Sequence, residues 1–254
     1  MFDIYTSFEP GVLLLLCSVL LIAGCVRGFA GFGAGMIYMP VATSLIFPPT
    51  AAASFLILDF VVAMPLVVRA LRICDWSTII PAVIASVLFV HAGTWLLATM
   101  DTLLLRWIIF GIVAAVLVLL ISGWRYRNRP SPPISFGVGM VAGVLGGVSQ
   151  VAGPPVVAFW LSSAKEPMVV RANLIVFFAL ASVGTVFAYW LKGFFNLPVL
   201  HLAIAGTPLY AIGLFLGSKG FGKADPKFYR LIAYSLIALA ALSSMPLLDP
   251  LFGR

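Results

Sequence analysis

Long apolar runs alternate along the chain with short separators that hold most of the charges. The apolar bands cover 11–47, 50–68, 77–98, 103–124, 134–162, 168–191, 197–217 and 228–248. About 20 apolar residues reach across the hydrocarbon core of a bilayer as a helix. An open strand would leave its edge N–H and C=O groups unsatisfied in lipid, so every band is predicted helical. The separators read Arg69-x-x-Arg72-x-x-Asp75, Asp101 to Arg106, Arg125-Tyr126-Arg127-Asn128-Arg129-Pro130, Lys165-Glu166, Lys192, and Lys219 to Arg230. The longest polar break, 125–133, adds Pro132 and Pro133 and divides the chain almost in half. The expected fold is an all-α, polytopic membrane bundle. Residues 1–128 form its first membrane repeat and 129–254 its second, within one integral membrane domain.

The halves share landmarks in the same order. Gly28, Gly31 and Pro40 recur 115 positions later as Gly143, Gly146 and Pro155. Asp101 and Arg106 recur 124 positions later as Asp225 and Arg230, each just before the last band of its half. Together these matches argue for a duplication of four bands plus four, an arrangement common among secondary transporters. Bands 1 and 5 are too long and too rich in glycine for plain helices. The first carries Gly28-Phe-Ala-Gly-Phe-Gly-Ala-Gly35 and closes at Pro40; the second carries Gly143-Val-Leu-Gly-Gly147 and closes at Pro154-Pro155. Glycine costs a helix about 1 kcal/mol and proline about 3. Each band is expected to break near its middle and expose backbone to a central cavity. Close helix packing through small residues is the other reading.

Composition agrees with the pattern. Of 254 residues, 63% are hydrophobic and 9% charged, and the mean hydropathy is +1.16. Soluble domains carry about 25% charged residues, which excludes a cytosolic enzyme, a disordered chain and a disulfide-stapled secreted domain. The net charge of +7 lies mostly in loops rather than on a surface interleaved with aromatics, so nucleic acid is not an expected partner. Cys17, Cys25 and Cys74 show no CxxC or metal-ligand spacing and read as small hydrophobes. MFDIYTSFEP holds Asp3 and Glu9 and no basic n-region, which argues against a cleaved signal peptide.

The charges also suggest topology. If all eight bands cross once, lysine and arginine divide almost evenly between the two sides. If bands 1 and 5 each begin and end on one side, eleven bases share a face: Arg69, Arg72, Arg125, Arg127, Arg129, Lys165, Arg171, Lys219, Lys223, Lys227 and Arg230. Arg106, Lys192 and Arg254 face the other way. The positive-inside rule favours this second arrangement. It places both termini outside the cytoplasm and makes the repeats inverted, with the glycine-rich breaks approaching the midplane from opposite faces.

No catalytic set is visible. His91 and His201 are isolated from acids, and GxSxG, HExxH and phosphate-loop patterns are absent. No metal or cofactor is expected. Arg27 lies inside a neutral run from Pro10 to Ala53. A charge at that depth costs several kcal/mol and usually faces a partner or a wet cavity. It reads either as an anion-attracting group or as the partner of Asp59, which is itself a candidate proton acceptor. In the second break, Ser149, Gln150 and the Gly153 amide could meet an oxyanion, since exposed N–H groups at a helix start favour anions. Ser54 and Asn173, near the starts of bands 2 and 6, could add donors, or could serve interhelical hydrogen bonds.

On these two glycine-rich segments and the four-plus-four layout, the chain resembles the sulfite exporter TauE/SafE family of membrane transporters along nearly its whole length. The resemblance implies transport of small sulfur-containing or organic anions, such as sulfite, sulfoacetate or related sulfonates, across a bacterial cytoplasmic membrane. Val148, Ser149 and Gln150 stand where the family commonly has further glycines, which implies altered substrate choice. The expected function is a multi-pass secondary transporter, not an enzyme, in which one half rocks or gates against the other. An anion channel or a non-transporting membrane subunit are the other readings. The candidate substrate-binding residues are Arg27, Gly31, Gly33, Gly35, Ser54, Gly146, Gly147, Ser149, Gln150, Gly153 and Asn173, with Asp59 for proton coupling. The partners are the anion, the lipid bilayer and a coupling proton.

Overall fold

The computed structural model describes residues 8–122, 131–161, 165–220 and 226–249. Among the described residues the chain is helical, without strands. The helices are α1 (Pro10–Ala30), α2 (Ala34–Leu45), α3 (Pro48–Ala70), α4 (Trp76–Thr99), α5 (Thr102–Ile121), α6 (Pro132–Ser149), α7 (Gly153–Leu161), α8 (Pro167–Leu191), α9 (Leu197–Gly220) and α10 (Pro226–Ser243). A short 3-10 turn follows at Pro246–Leu248. Eight bands become ten helices because the first and fifth are each split in two. The polar break at 125–130 lies outside the described residues.

Helix starts follow simple chemistry. Prolines occupy the first turns of α1, α3, α6 and α8. Their missing N–H has no partner to lose there, and their fixed φ suits the helix. Asp101 caps α5 by accepting a hydrogen bond from the Leu104 amide at 2.9 Å. Among the described residues, seven helices, α1, α3, α4, α5, α6, α8 and α9, are long and apolar enough to cross a membrane. With 12 and 9 residues, α2 and α7 span only about 18 and 14 Å at 1.5 Å per residue, too short to cross alone.

The first break is made by two glycines in left-handed backbone. Gly31 has φ +80° and donates its N–H to the Arg27 carbonyl at 2.7 Å; Gly33 has φ +97°. An L side chain would be strained at either position. The second break begins at Gln150, a non-glycine residue at φ +57°. The prolines have a different part from the one expected. Pro40 lies inside α2 and Pro155 in the first turn of α7, so both breaks fall upstream of them.

The tightest contacts pair α1 with α9 and α4 with α6. Glycines line both seams. A Cβ on Gly28 would stand 2.1 Å from the Leu214 carbonyl oxygen, and one on Gly217 2.0 Å from that of Cys25. In the other seam a Cβ on Gly139 would stand 2.1 Å from Ala82 O, and one on Gly93 2.2 Å from Val144 O. Backbone therefore meets backbone, gaining dispersion and Cα–H···O contacts where lipid offers little hydrophobic drive. Between the seams, α3 packs on α8 and α9, and α8 on α4. The outer helices α5 and α10 pack on α2 and on one another.

Ion pairs mark the two ends of α4. Just before it, Asp75 pairs with Lys165 and accepts from Ser77 Oγ at 2.7 Å and Thr78 Oγ1 at 3.0 Å. Burial works to raise the Asp75 pKa, but the hydrogen bonds from Lys165, Ser77 and Thr78 prevail and hold it below the usual carboxylate value. Just beyond the other end, Arg106 makes two 2.7 Å contacts to Asp249 and donates to Ser244 O at 3.1 Å. Thus the α3–α4 and α7–α8 links share one end of the bundle, and the α4–α5 link shares the other with the segment after α10.

Gly28→Ala and Gly139→Ala should each lower stability by about 1–3 kcal/mol through overpacking. Gly111→Ala, with open space around its Cα, should be neutral or stabilising by up to about 1 kcal/mol. Thermal unfolding in detergent distinguishes the two classes. Because its folded pKa is depressed, Asp75 stabilises the fold above its unfolded value of about 4. That contribution disappears as pH falls through the folded value. Asp75→Asn should therefore be less stable than wild type at pH 7, and the gap should close on acidification.

Candidate functional site

The two helix breaks meet. Gly35, in the first turn of α2, packs so closely on Gln150 that a Cβ there would lie 2.6 Å from the Gln150 carbonyl oxygen. Beside this contact is a cavity of about 70 Å³, room for several water-sized groups. Its walls come from α1, α2, α3, α4, α6, α7 and α8, and from both breaks. Ala34 and Gly35 bring first-turn amides to the wall. From α7 the Gly153 amide does so, while Pro154 has none to offer.

Among the described lining residues, Arg27 is the one base and Asp59 the one acid. Arg27 Nε lies 2.9 Å from Asp59 Oδ1, and the two side chains are 16% and 18% exposed. The hydroxyl of Tyr210, on α9, donates to the same carboxylate oxygen. Of the two readings of Arg27, partnership with Asp59 is therefore the one seen here. Both groups also remain open to the cavity. The pair makes the cavity electrically balanced as it stands.

Gln150 behaves differently from expectation. Its Nε2 donates to Gly146 O at 3.0 Å and to Tyr189 Oη at 3.0 Å, while Tyr189 donates to Gly147 O at 2.8 Å. Both amide protons are used within the protein. The orientation is dictated by chemistry, since Gly146 O can only accept and Tyr189 has spent its proton. In this conformation Gln150 ties the second break together, and the part of it free to meet a ligand is an acceptor.

The other candidates divide cleanly. Gly33, Gly35, Gly146 and Gly153 line the cavity. Gly31 caps α1 and is not on the wall. Ser54 donates to Ala51 O at 3.0 Å and lies 3.3 Å from the Tyr38 hydroxyl. Gly147 faces α4, where a Cβ would stand 2.5 Å from Val90 O. Ser149 is buried and donates to Leu145 O at 2.8 Å. Asn173 sits at the end of the bundle, accepting from the Asp75 amide at 2.7 Å. His91 is exposed, with its ring edge-on to Phe187, and neither histidine lines the cavity. Sequence reasoning missed Ser86 of α4, Ser182 and Thr185 of α8, and the aromatic wall of Phe32, Phe55 and Phe178. Single hydroxyls in apolar helices carry no periodic signal, and these residues come together only in the fold. Among the described residues no cluster of three or more His, Cys, Asp or Glu could hold a metal.

A family model, Sulfite exporter TauE/SafE, matches residues 16–244. A protein of Cupriavidus necator described as a probable sulfite/organosulfonate exporter, TauE, is 28% identical over 237 residues, covering 85% of this chain and 87% of the relative. No solved structure matches.

The left-handed backbone at Gln150 makes a stability comparison informative. Gln150→Ala and Gln150→Gly both lose the bonds to Gly146 and Tyr189, but glycine alone relieves the left-handed backbone. Gln150→Gly should be the more stable variant by about 1 kcal/mol, measured by thermal unfolding in detergent.

Proposed function

Because the chain belongs to the sulfite exporter TauE/SafE family, a family of membrane transporters, we propose that it carries sulfite or a small organosulfonate across the bacterial cytoplasmic membrane by alternating access. The family makes it an anion transporter and not an enzyme. The observation that carries the finer reading is the cavity where the two helix breaks meet, with Arg27 as the one base among its described lining residues. Irregular backbone at membrane depth is tolerated where it lines such a cavity, and discontinuous helices are how many transporters present backbone dipoles to a substrate. The end carrying Arg69, Arg72, Lys165 and Arg171 faces the cytoplasm by the positive-inside rule.

The Arg27–Asp59 pair sets the terms of binding. An anion approaching Arg27 competes with a carboxylate already 2.9 Å away. A proton on Asp59 removes that competitor, and Tyr210 still has an oxygen to bond. The anion then takes the carboxylate's place, so one proton accompanies one negative charge and the cavity stays balanced. No charge is left unpaired in a low-dielectric site, which would cost several kcal/mol.

The reading is tested by uptake of labelled sulfite into proteoliposomes under an imposed proton gradient. Wild type should show saturable flux that the gradient accelerates. Arg27→Gln should lose at least tenfold in flux. Asp59→Asn should keep sulfite–sulfite exchange but lose its response to the gradient. Flux rising linearly with sulfite, without saturation, would indicate a channel; wild-type flux from Arg27→Gln would remove Arg27 from the site.

A further inference from the structure

A serine inside an apolar helix ordinarily turns its hydroxyl onto a carbonyl three or four residues back. Ser18, Ser44, Ser54, Ser135 and Ser149 all do so. Thr185, on the cavity wall, also does, donating to Ala181 O at 3.0 Å. Ser86 and Ser182 line the same cavity, and their hydroxyls have no hydrogen-bond partner among the described residues. Ser86 is only 4% exposed. Its oxygen is not among the described buried polar atoms left without a partner, which are Thr94 Oγ1, Arg106 Nε and Asn173 Nδ2, so it opens onto the cavity and its donor is available to whatever enters. The two serines come from neighbouring helices in contact. One residue beyond Ser86, the Val87 side chain crowds Gly184 of α8 so closely that a Cβ there would lie 2.7 Å from it. Ser182 also borders a second, smaller chamber, which Arg27, Asp59 and Phe178 share with the first.

We infer that the hydroxyls of Ser86 and Ser182 are the neutral donors that recognise the transported oxyanion, with Arg27 supplying the charge. This assignment rests on the reading of the cavity as the anion site. A sulfite or sulfonate group presents three oxygens and can accept from both serines and from Arg27 at once. A halide is a single centre and gains mainly from charge. The serines therefore set selectivity for an oxyanion over a halide, whereas Arg27 serves both. The apolar wall of Phe32, Phe55 and Phe178 leaves a place for the short carbon chain of an organosulfonate, which has no hydrogen bonds to make.

The test is calorimetric titration of purified protein in detergent with sulfite, ethanesulfonate and bromide. The variants are Ser86→Ala, Ser182→Ala, Ser182→Thr and Arg27→Gln. Each alanine variant should bind sulfite and ethanesulfonate about tenfold more weakly, the worth of one hydrogen bond to a charged group. Bromide competition should stay unchanged, and so should the unfolding temperature without ligand. Ser182→Thr, which keeps a hydroxyl, should retain sulfite affinity. Arg27→Gln should weaken all three anions together. Wild-type sulfite affinity in both alanine variants, alongside loss in Arg27→Gln, would overturn the serine assignment and leave the anion site standing. Equal loss for sulfite and bromide in the alanine variants would overturn it too. Absence of sulfite and sulfonate binding to folded wild-type protein would overturn the cavity reading and this assignment with it.

Discussion

Close approach of bare backbone is what the rest of the molecule depends on. Inside a bilayer, lipid solvates apolar side chains as well as a neighbouring helix would, so helices hold together by packing and polar contacts. The α1–α9 and α4–α6 seams supply that packing through glycines whose Cβ positions are occupied by carbonyl oxygens of the opposing helix. Two closely packed pairs result. They matter because the candidate site is built on irregular backbone. Both breaks leave backbone groups without helical partners, and such segments survive at membrane depth only when protein or a wet cavity surrounds them. One break is attached to α1 and the other to α6, so each hangs from one of the two seams.

Within that frame, polar groups divide into those that close the structure and those that leave it open. Tyr189 and Gln150 close the second break upon itself, using every proton they have. Arg106 and Asp249 tie down one end of the bundle, and Asp75 with Lys165 the other. Arg27 and Asp59 are different. They neutralise one another yet stay partly exposed to the cavity. A buried ion pair contributes little net stability against an apolar replacement, because desolvation offsets the attraction. Its place on a cavity wall is what the proposed exchange of one member for an anion would use.

The sequence revealed the bands and the places where they fail. Hydropathy located all eight segments, and proline at helix starts set several boundaries. The glycine runs pointed to the splits in bands 1 and 5, though Pro40 and Pro155 were given a breaking role that Gly31, Gly33 and Gln150 perform. The site was half legible. Arg27 and Asp59 stood out because charges in lipid are expensive. Ser54 and Ser149 looked equally polar, but their partners lie within the bundle, and Asn173 lies away from the cavity, its Oδ1 bonded to the Asp75 amide and its Nδ2 buried without a partner; only coordinates distinguish a satisfied hydroxyl from an open one. Ser86 and Ser182 were invisible for the same reason. Which serine in an apolar helix lacks an acceptor depends on what the neighbouring helices bring.

The contacts also constrain how the proposed alternation of access could occur. Rocking residues 1–128 against 129–254 as two blocks is the motion that sequence halves suggest. Yet α1 belongs to the first half and α9 to the second, and α4 and α6 are divided in the same way. Such a motion would shear both glycine seams, the places where no side chain exists to slide or change rotamer. A motion that keeps the seams must move α1 with α9 and α4 with α6. The joints between these pairs run through α3 and α8, which carry Asp59, Phe178 and Ser182. Separation there would draw Asp59 on α3 away from Ser86 on α4 and Ser182 on α8. It would leave Arg27 and Tyr210 moving together, since α1 and α9 form one body. The charge pair and the two hydroxyls thus sit on opposite sides of the joint, and an anion bound by both would hold it shut.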